Sequence, residues 1–269
     1  TRAAVIENGL LQEVRIERDK KRGIVGNVYK GKVLRVLPGM QSAFIDIGLA
    51  KAGFLHVAEI MPHNRLDGDL DLNSPEADIK KWLHEGQEIL IQVLKDPLGT
   101  KGARLTMHLS VASRYLVHIP TIEHIGISIR LDDEAERERL EGIMAAIQDT
   151  DTPKGYIFRT VAEGMTEAAV RTEVAFLHKV WNSMESDAKG AKVPSLIHGD
   201  LSLSKRVVRD MVNKDVTKVL IDSQVDFDRL KSFTDSFIPD VSAKLEYYDG
   251  DMCIFDRYGI EVELDRALH

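Results

Sequence analysis

Apolar and polar residues alternate along the first third of the chain. Thr1–Arg22 switches polarity around Asn8-Gly9, a dipeptide that favours a two-residue hairpin turn, so two antiparallel strands are expected. The alternation resumes at Val28–Val36, Ser42–Ile47, Phe54–Val57, Glu88–Leu94 and Ala103–Ser110. It is broken at Pro38-Gly39, at Gly48, by a polar loop over Met61–Asp78 and by Asp96–Gly102. Five strands with short turns and one longer loop before the fourth form the pattern of an oligonucleotide-binding barrel.

Beyond the barrel the period changes. Tyr115–Ile119 and Gly155–Arg159 read as short strands. Asp132–Gln148 reads as a helix, with an acidic first turn and Leu140, Ile143, Met144 and Ile147 at helical spacing. A longer amphipathic helix runs over Thr166–Lys189, opened by Thr166 and closed near Gly190, and Val193–Pro194 reads as a linker. Past Leu201 helices and strands alternate: Lys205–Met211 helical, Lys218–Asp222 a strand, Asp226–Phe237 helical, Lys244–Tyr248 a strand, Ile260–Leu268 helical. The first hairpin lacks helices to cover it and the last segment lacks partners. The two are therefore expected to form one subdomain with the barrel inserted between them.

Composition narrows the classes. The chain has 269 residues and a net charge of −7, so any contact with nucleic acid must come from a local basic face. The one cysteine, Cys253, excludes an internal disulfide and a cysteine metal cage, and fits a reducing cytoplasm. No apolar run reaches the roughly 20 residues that a bilayer requires, and the start at Thr1 lacks the apolar stretch of a signal peptide and reads as trimmed.

The candidate chemistry is that of binding. Phe44 in SAFIDIG and Phe54 in AGFL lie on neighbouring strands, with Tyr29 and Lys30 on the strand before. Aromatic rings on such a barrel stack bases at roughly 1–3 kcal/mol each, without reading sequence. Lys32, Lys95, Lys101 and Arg104 are candidates for tracking phosphates. Periodicity alone leaves open whether the two Phe rings face solvent or the core. Arg159-Thr160, at the end of a short strand, offers a guanidinium fork, a hydroxyl and backbone N–H groups to a terminal phosphate, with Arg130 and Gly164 as neighbours. Asp67, Asp69 and Asp71 alternate as in a calcium loop, but Leu72 replaces the required glycine, so they read as a solvated loop. The nine histidines form no HxH or HxxxH cluster, and neither a nucleophilic triad nor a phosphate-binding glycine loop is present.

The longer motifs RGIVGNVYKGKVLRVLPGMQSAFIDIGLAKAGFLH, VLKDPLGTKGARLT, SRYLV, FRTVAEG and SAKLEYYDG, in this order, closely resemble the ribonuclease E/G family, nearer its G branch. The resemblance covers essentially the whole chain. It implies an α+β fold of several subdomains. An RNase H-like part at 1–22 and 201–269 would be split around an S1 (OB-fold) RNA-binding barrel at 23–107, followed by a mixed α/β 5′ sensor at 108–200. It implies a single-strand-specific endoribonuclease of the cytoplasm that prefers a 5′-monophosphate, processes ribosomal RNA and degrades messages, with no DNA partner. The family's barrel-face residues fall on Phe44, Phe54 and Lys101, and its 5′-phosphate pocket on Arg159 and Thr160 with Val117 in the wall. Of its two RNA-positioning arginines, Arg130 is present and Ile129 replaces the other. The family's catalytic magnesium, held by two Asp of a following subdomain, and its zinc link between protomers of a dimer or tetramer have no matching residues before His269. The chain is therefore expected to be an N-terminal part that binds RNA without cleaving it.

Overall fold

The computed structural model describes residues 1–18, 22–61, 78–122, 125–147 and 155–268. The acidic positions Asp67, Asp69 and Asp71 lie outside them. The chain divides into two compact units, Thr1–Arg22 with Leu201–His269 and Gly23–Asp200.

The chain begins with β1 (Arg2–Glu7) and β2 (Leu10–Ile16), an antiparallel hairpin turning at Asn8 and Gly9, both with positive φ. The barrel follows. It is made by β3 (Val28–Leu37), β4 (Ser42–Asp46), β5 (Gly53–His56), β6 (Glu88–Lys95) and β7 (Arg104–Thr106). β3 pairs with β4, β4 with β5, β5 in parallel with β7, β7 with β6, and β6 back with β3, which closes the sheet. Closure leaves no free edge, and the interior fills with alternate side chains. Val33, Ala43, Ile45, Leu55, Ile91, Val93 and Leu105 are buried there. Gly102 and Gly53 let β7 lie close to β5, for a Cβ on Gly102 would stand 1.8 Å from the Ala52 carbonyl oxygen.

A second layer contains β8 (Val111–Ala112), β9 (Leu116–His118), β10 (Ile125–Ile127), α1 (Glu134–Ile147), β11 (Tyr156–Phe158) and α2 (Glu167–Gly190). The sheet order is β10-β11-β9-β8, with β10 parallel to β11 and the other pairs antiparallel. Its core joins Leu116, Tyr156 and Phe158 to Leu140 and Met144 of α1 and Val170 and Leu177 of α2. Thr166 caps α2, its hydroxyl accepting the Ala169 N–H. β12 (Ser195–His198) then pairs antiparallel with the start of β3. The stretch after Val193–Pro194 is thus a strand of the barrel sheet as well as a connection.

The remaining elements are α3 (Leu203–Asp210), β13 (Val219–Ile221), α4 (Gln224–Phe237), α5 (Pro239–Ser242), β14 (Leu245–Tyr247), α6 (Ile254–Arg257) and α7 (Ile260–Leu268). β13 and β14 pair in parallel, and Val208, Leu230, Val241 and Leu245 are buried together. The first hairpin is tied to this segment. The Glu17 carboxylate, 11 % exposed, accepts the Leu203 N–H at 3.0 Å and Arg206 Nη2 at 2.9 Å. Arg2 Nη1 reaches Glu261 at 2.6 Å. Among the described residues, no helix is long and apolar enough to cross a membrane.

Candidate RNA interface

The face of the barrel is set by strand parity. On β4, Ala43 and Ile45 point inward and Phe44 outward, 37 % exposed. On β5, Gly53 and Leu55 are buried and Phe54 is half-buried. Phe44 stands directly opposite Phe54, and Phe54 opposite Arg104 of β7, so the three share one line across the sheet. The ring centroids are 6.2 Å apart with planes at 65°, an edge-to-face contact that holds both rings. At that tilt the two rings do not form a parallel-walled slot.

The cations divide into several groups. Arg104 Nη2 is 2.9 Å from Glu59 Oε1, which anchors the guanidinium beside Phe54 while it stays about half exposed. Lys101 is exposed at the base of the Asp96–Gly102 loop, where its backbone N–H bonds the Leu98 carbonyl at 2.9 Å. Lys32 and Lys95 are exposed on β3 and β6. Lys30 turns away, its ammonium 3.1 Å from the Ala191 carbonyl and 3.3 Å from Glu88. Tyr29 is a correction to the sequence reading. It is 6 % exposed within the barrel core, in step with Val33, so its ring cannot stack a base on the surface.

A second constellation lies at the carboxyl ends of β10 and β11. Arg159 follows β11, and its Nη1 donates to the carbonyls of Ser113 at 3.0 Å and Arg114 at 3.2 Å. Its N–H bonds the Tyr115 carbonyl at 2.8 Å. These bonds hold the guanidinium against the Ser113–Arg114 backbone. The Thr160 and Ser128 hydroxyls are 2.9 Å apart, joining the 128–130 loop to the turn at Thr160–Ala162. Arg130 follows on that loop, exposed, next to Ile129, which is 90 % exposed. Val117 on β9 is half-buried and pairs with Ile157, one strand from Arg159. Gly164 has φ +75° and donates its N–H to Glu136 at 2.7 Å, so it turns the chain into α2. Arg139 and that N–H hold the Glu136 carboxyl down at about 2.

The fold assembles one group that the sequence spacing conceals. His118 of β9 stacks on Tyr156 of β11 at 4.7 Å and lies 5.5 Å from His178 of α2, with the Trp181 edge at 6.2 Å. The Tyr156 hydroxyl bonds His178 Nε2, and His118 Nδ1 is 2.9 Å from the Gly155 carbonyl oxygen. Burial lowers the pKa of both histidines and raises that of Tyr156. Sixty residues separate the histidines, and their register becomes visible only once β9, β11 and α2 are packed. Among the described residues, no three His, Cys, Asp or Glu side chains converge as a metal site.

The sequence profile of the Ribonuclease E/G family matches residues 110–269. The chain belongs to the ribonuclease E/G family. It is 45% identical over all 269 residues to Ribonuclease G of Escherichia coli (strain K12), covering 55% of that protein. It is also 45% identical over 269 residues to Ribonuclease G of Haemophilus influenzae, covering 54% of that protein. Ribonuclease E of Nostoc sp. is 34% identical over 232 residues, 86% of this chain and 32% of that protein. The chain thus spans about half the length of the ribonuclease G relatives it matches, and its identity to them exceeds that to the Nostoc ribonuclease E.

Proposed function

We propose that this chain is the RNA-binding and 5′-monophosphate-sensing region of a single-strand-specific endoribonuclease of the cytoplasm that matures ribosomal RNA and degrades messages. The observation that carries the reading is the Phe44–Phe54–Arg104 line, two outward rings beside an anchored cation on a closed barrel. That barrel acts as an S1-type domain, binding single strands by stacking and backbone charge. The segment around Arg159, Thr160, Arg130 and Val117 acts as the 5′ sensor. The guanidinium offers charge-assisted bonds to a terminal phosphate, and Thr160 a hydroxyl. The unit built from Thr1–Arg22 and Leu201–His269 serves as an RNase H-like scaffold.

Cleavage in the family-like protein is assigned to magnesium held by aspartates of a further subdomain, and dimer or tetramer assembly to a zinc link. On this reading neither metal is held by the residues described above, among which no three His, Cys, Asp or Glu side chains converge. The rival reading is a non-enzymatic S1-type RNA-binding or ribosome-associated protein. Fluorescence anisotropy with one short single-stranded RNA, as 5′-monophosphate and as 5′-hydroxyl, separates sensor from generic binder at fixed salt. Tighter binding of the phosphorylated strand, lost in Arg159→Ala, supports the sensor. Equal binding of both strands refutes it and leaves a stacking surface alone.

A further inference from the structure

The line of side chains across the barrel does not stop at Phe44. On the far side, β3 places Arg35 directly opposite Phe44, so Arg35, Phe44, Phe54 and Arg104 lie in register across four strands. At about 4.8 Å per strand the row spans about 14 Å, with a cation at each end and an aromatic pair between.

The register that puts Arg35 there is irregular. Val33 pairs with Ile45, both buried, and the next pair is Arg35 with Phe44, both exposed. Leu34 is the extra residue of a β-bulge between them, left 50 % exposed. In a regular ladder Leu34 would oppose Phe44, and Arg35 would share the inward parity of Val33. A bulge re-aims side chains in this way, and bulges gather beside functional sites. The exposed Leu34 is the cost of turning a guanidinium outward. Arg104, at the other end, is held by Glu59, whereas the Arg35 guanidinium makes no ion pair or hydrogen bond among the described residues.

We propose that Arg35 is an RNA-positioning residue, contacting the backbone phosphate of the nucleotide whose base stacks on Phe44. Bases resting on the two rings leave their backbone to run along the flanks of the row, and Arg35 supplies the cation on the β3 flank. The inference rests on the barrel face being the RNA surface.

The test uses this chain and a short 5′-hydroxyl single-stranded RNA, which removes any contribution from 5′ sensing. Affinity is measured by anisotropy from 50 to 200 mM salt for wild type, Arg35→Gln, Arg35→Lys and Phe44→Ala, each checked for an unchanged melting profile. A contact to one phosphate of a single strand contributes about 0.7 to the slope of log affinity against log salt. Arg35→Gln is expected to bind about 5-fold more weakly at 50 mM and to lose that increment of slope. Arg35→Lys is expected to restore the slope. Weaker binding with an unchanged slope would make Arg35 a packing residue and overturn the proposal, as would unchanged binding. If Phe44→Ala weakens binding while Arg35→Gln does nothing, only this inference falls. If Phe44→Ala has no effect, the barrel-face reading falls with it.

Discussion

Gly102→Ala tests the closeness of β5 and β7, on which the position of Phe54 depends. The added Cβ would lie 1.8 Å from the Ala52 carbonyl oxygen and 2.9 Å from its carbon, both backbone atoms that cannot rotate aside. An ordinary carbon–oxygen contact needs about 3.3 Å, so the strands must part by about 1.5 Å. Two features hold them: the Phe54 N–H bonds the Ala103 carbonyl at 2.7 Å, and Leu55 pairs with Leu105, both fully buried. Losing that bond and loosening the barrel interior should cost about 2–4 kcal/mol. The two tryptophans, Trp82 against the barrel core and Trp181 in the second layer, both belong to the 23–200 unit, so their fluorescence in urea reports its unfolding. RNA affinity should fall as well, since Phe54 moves with its strand. Gly39→Ala is the control: nothing lies within 4 Å of its added Cβ, and its stability should change by less than about 0.5 kcal/mol. A Gly102→Ala protein as stable as the Gly39→Ala protein would refute the strand geometry.

Three further outcomes follow from the same structure. Arg159→Ala should weaken binding of 5′-monophosphate RNA by about 1.5–3 kcal/mol and leave the 5′-hydroxyl strand unchanged in anisotropy titrations, because one charge-assisted contact is lost. His118, fully buried with its pKa lowered by desolvation, makes the folded state bind fewer protons than the unfolded one. Its stabilisation is complete above about pH 6.5 and is lost at up to about 1.4 kcal/mol per unit as pH falls toward the folded value. Glu173, whose carboxyl is raised by burial, works in the opposite sense, so the share of His118 is read as the difference between wild type and His118→Gln. Identical pH profiles for the two would refute it. Glu17→Ala should remove protection from the Leu203 amide in hydrogen exchange and cost about 1–3 kcal/mol, since that N–H loses its acceptor and Arg206 loses the carboxylate it pairs with.

How much of this was legible in the sequence depends on the length of each element. The barrel strands were visible because each carries at least two alternations, and Ala43-Phe44-Ile45 and Gly53-Phe54-Leu55 each place a ring between two inward neighbours. The same parity argument puts Tyr29 inside with Gly31 and Val33, a signal present in the sequence and outweighed by the attraction of an aromatic beside a lysine. β8, two residues long, is too short to show a period, β10 is two isoleucines around a glycine with no polar alternate, and β12 was hidden behind Pro194. The bulge at Leu34 breaks parity, so Arg35 is assigned correctly only when its partner strand is known. The His118–Tyr156–His178 group draws on three separated elements and has no local trace.

The charge of the whole chain deserves a physical account, because −7 opposes the function proposed for it. At physiological salt the Debye length is about 8 Å, so a phosphate beside Phe44 and Phe54 feels Arg35, Lys101 and the Arg104–Glu59 pair and little of the distant carboxylates. Near 10 mM salt the length grows to about 30 Å, and the net negative charge reaches the same phosphate. Two effects then compete as salt is lowered: counterion release strengthens binding, and long-range repulsion weakens it. The log–log plot of RNA affinity against salt should therefore be straight between about 50 and 200 mM and flatten below about 20 mM. A surface whose cations act in a uniformly positive field would give a line of constant slope down to 10 mM. That result would show that the acidic residues lie too far from the bound strand to matter, and would refute the claim that affinity here is a local basic face working against the field of the molecule.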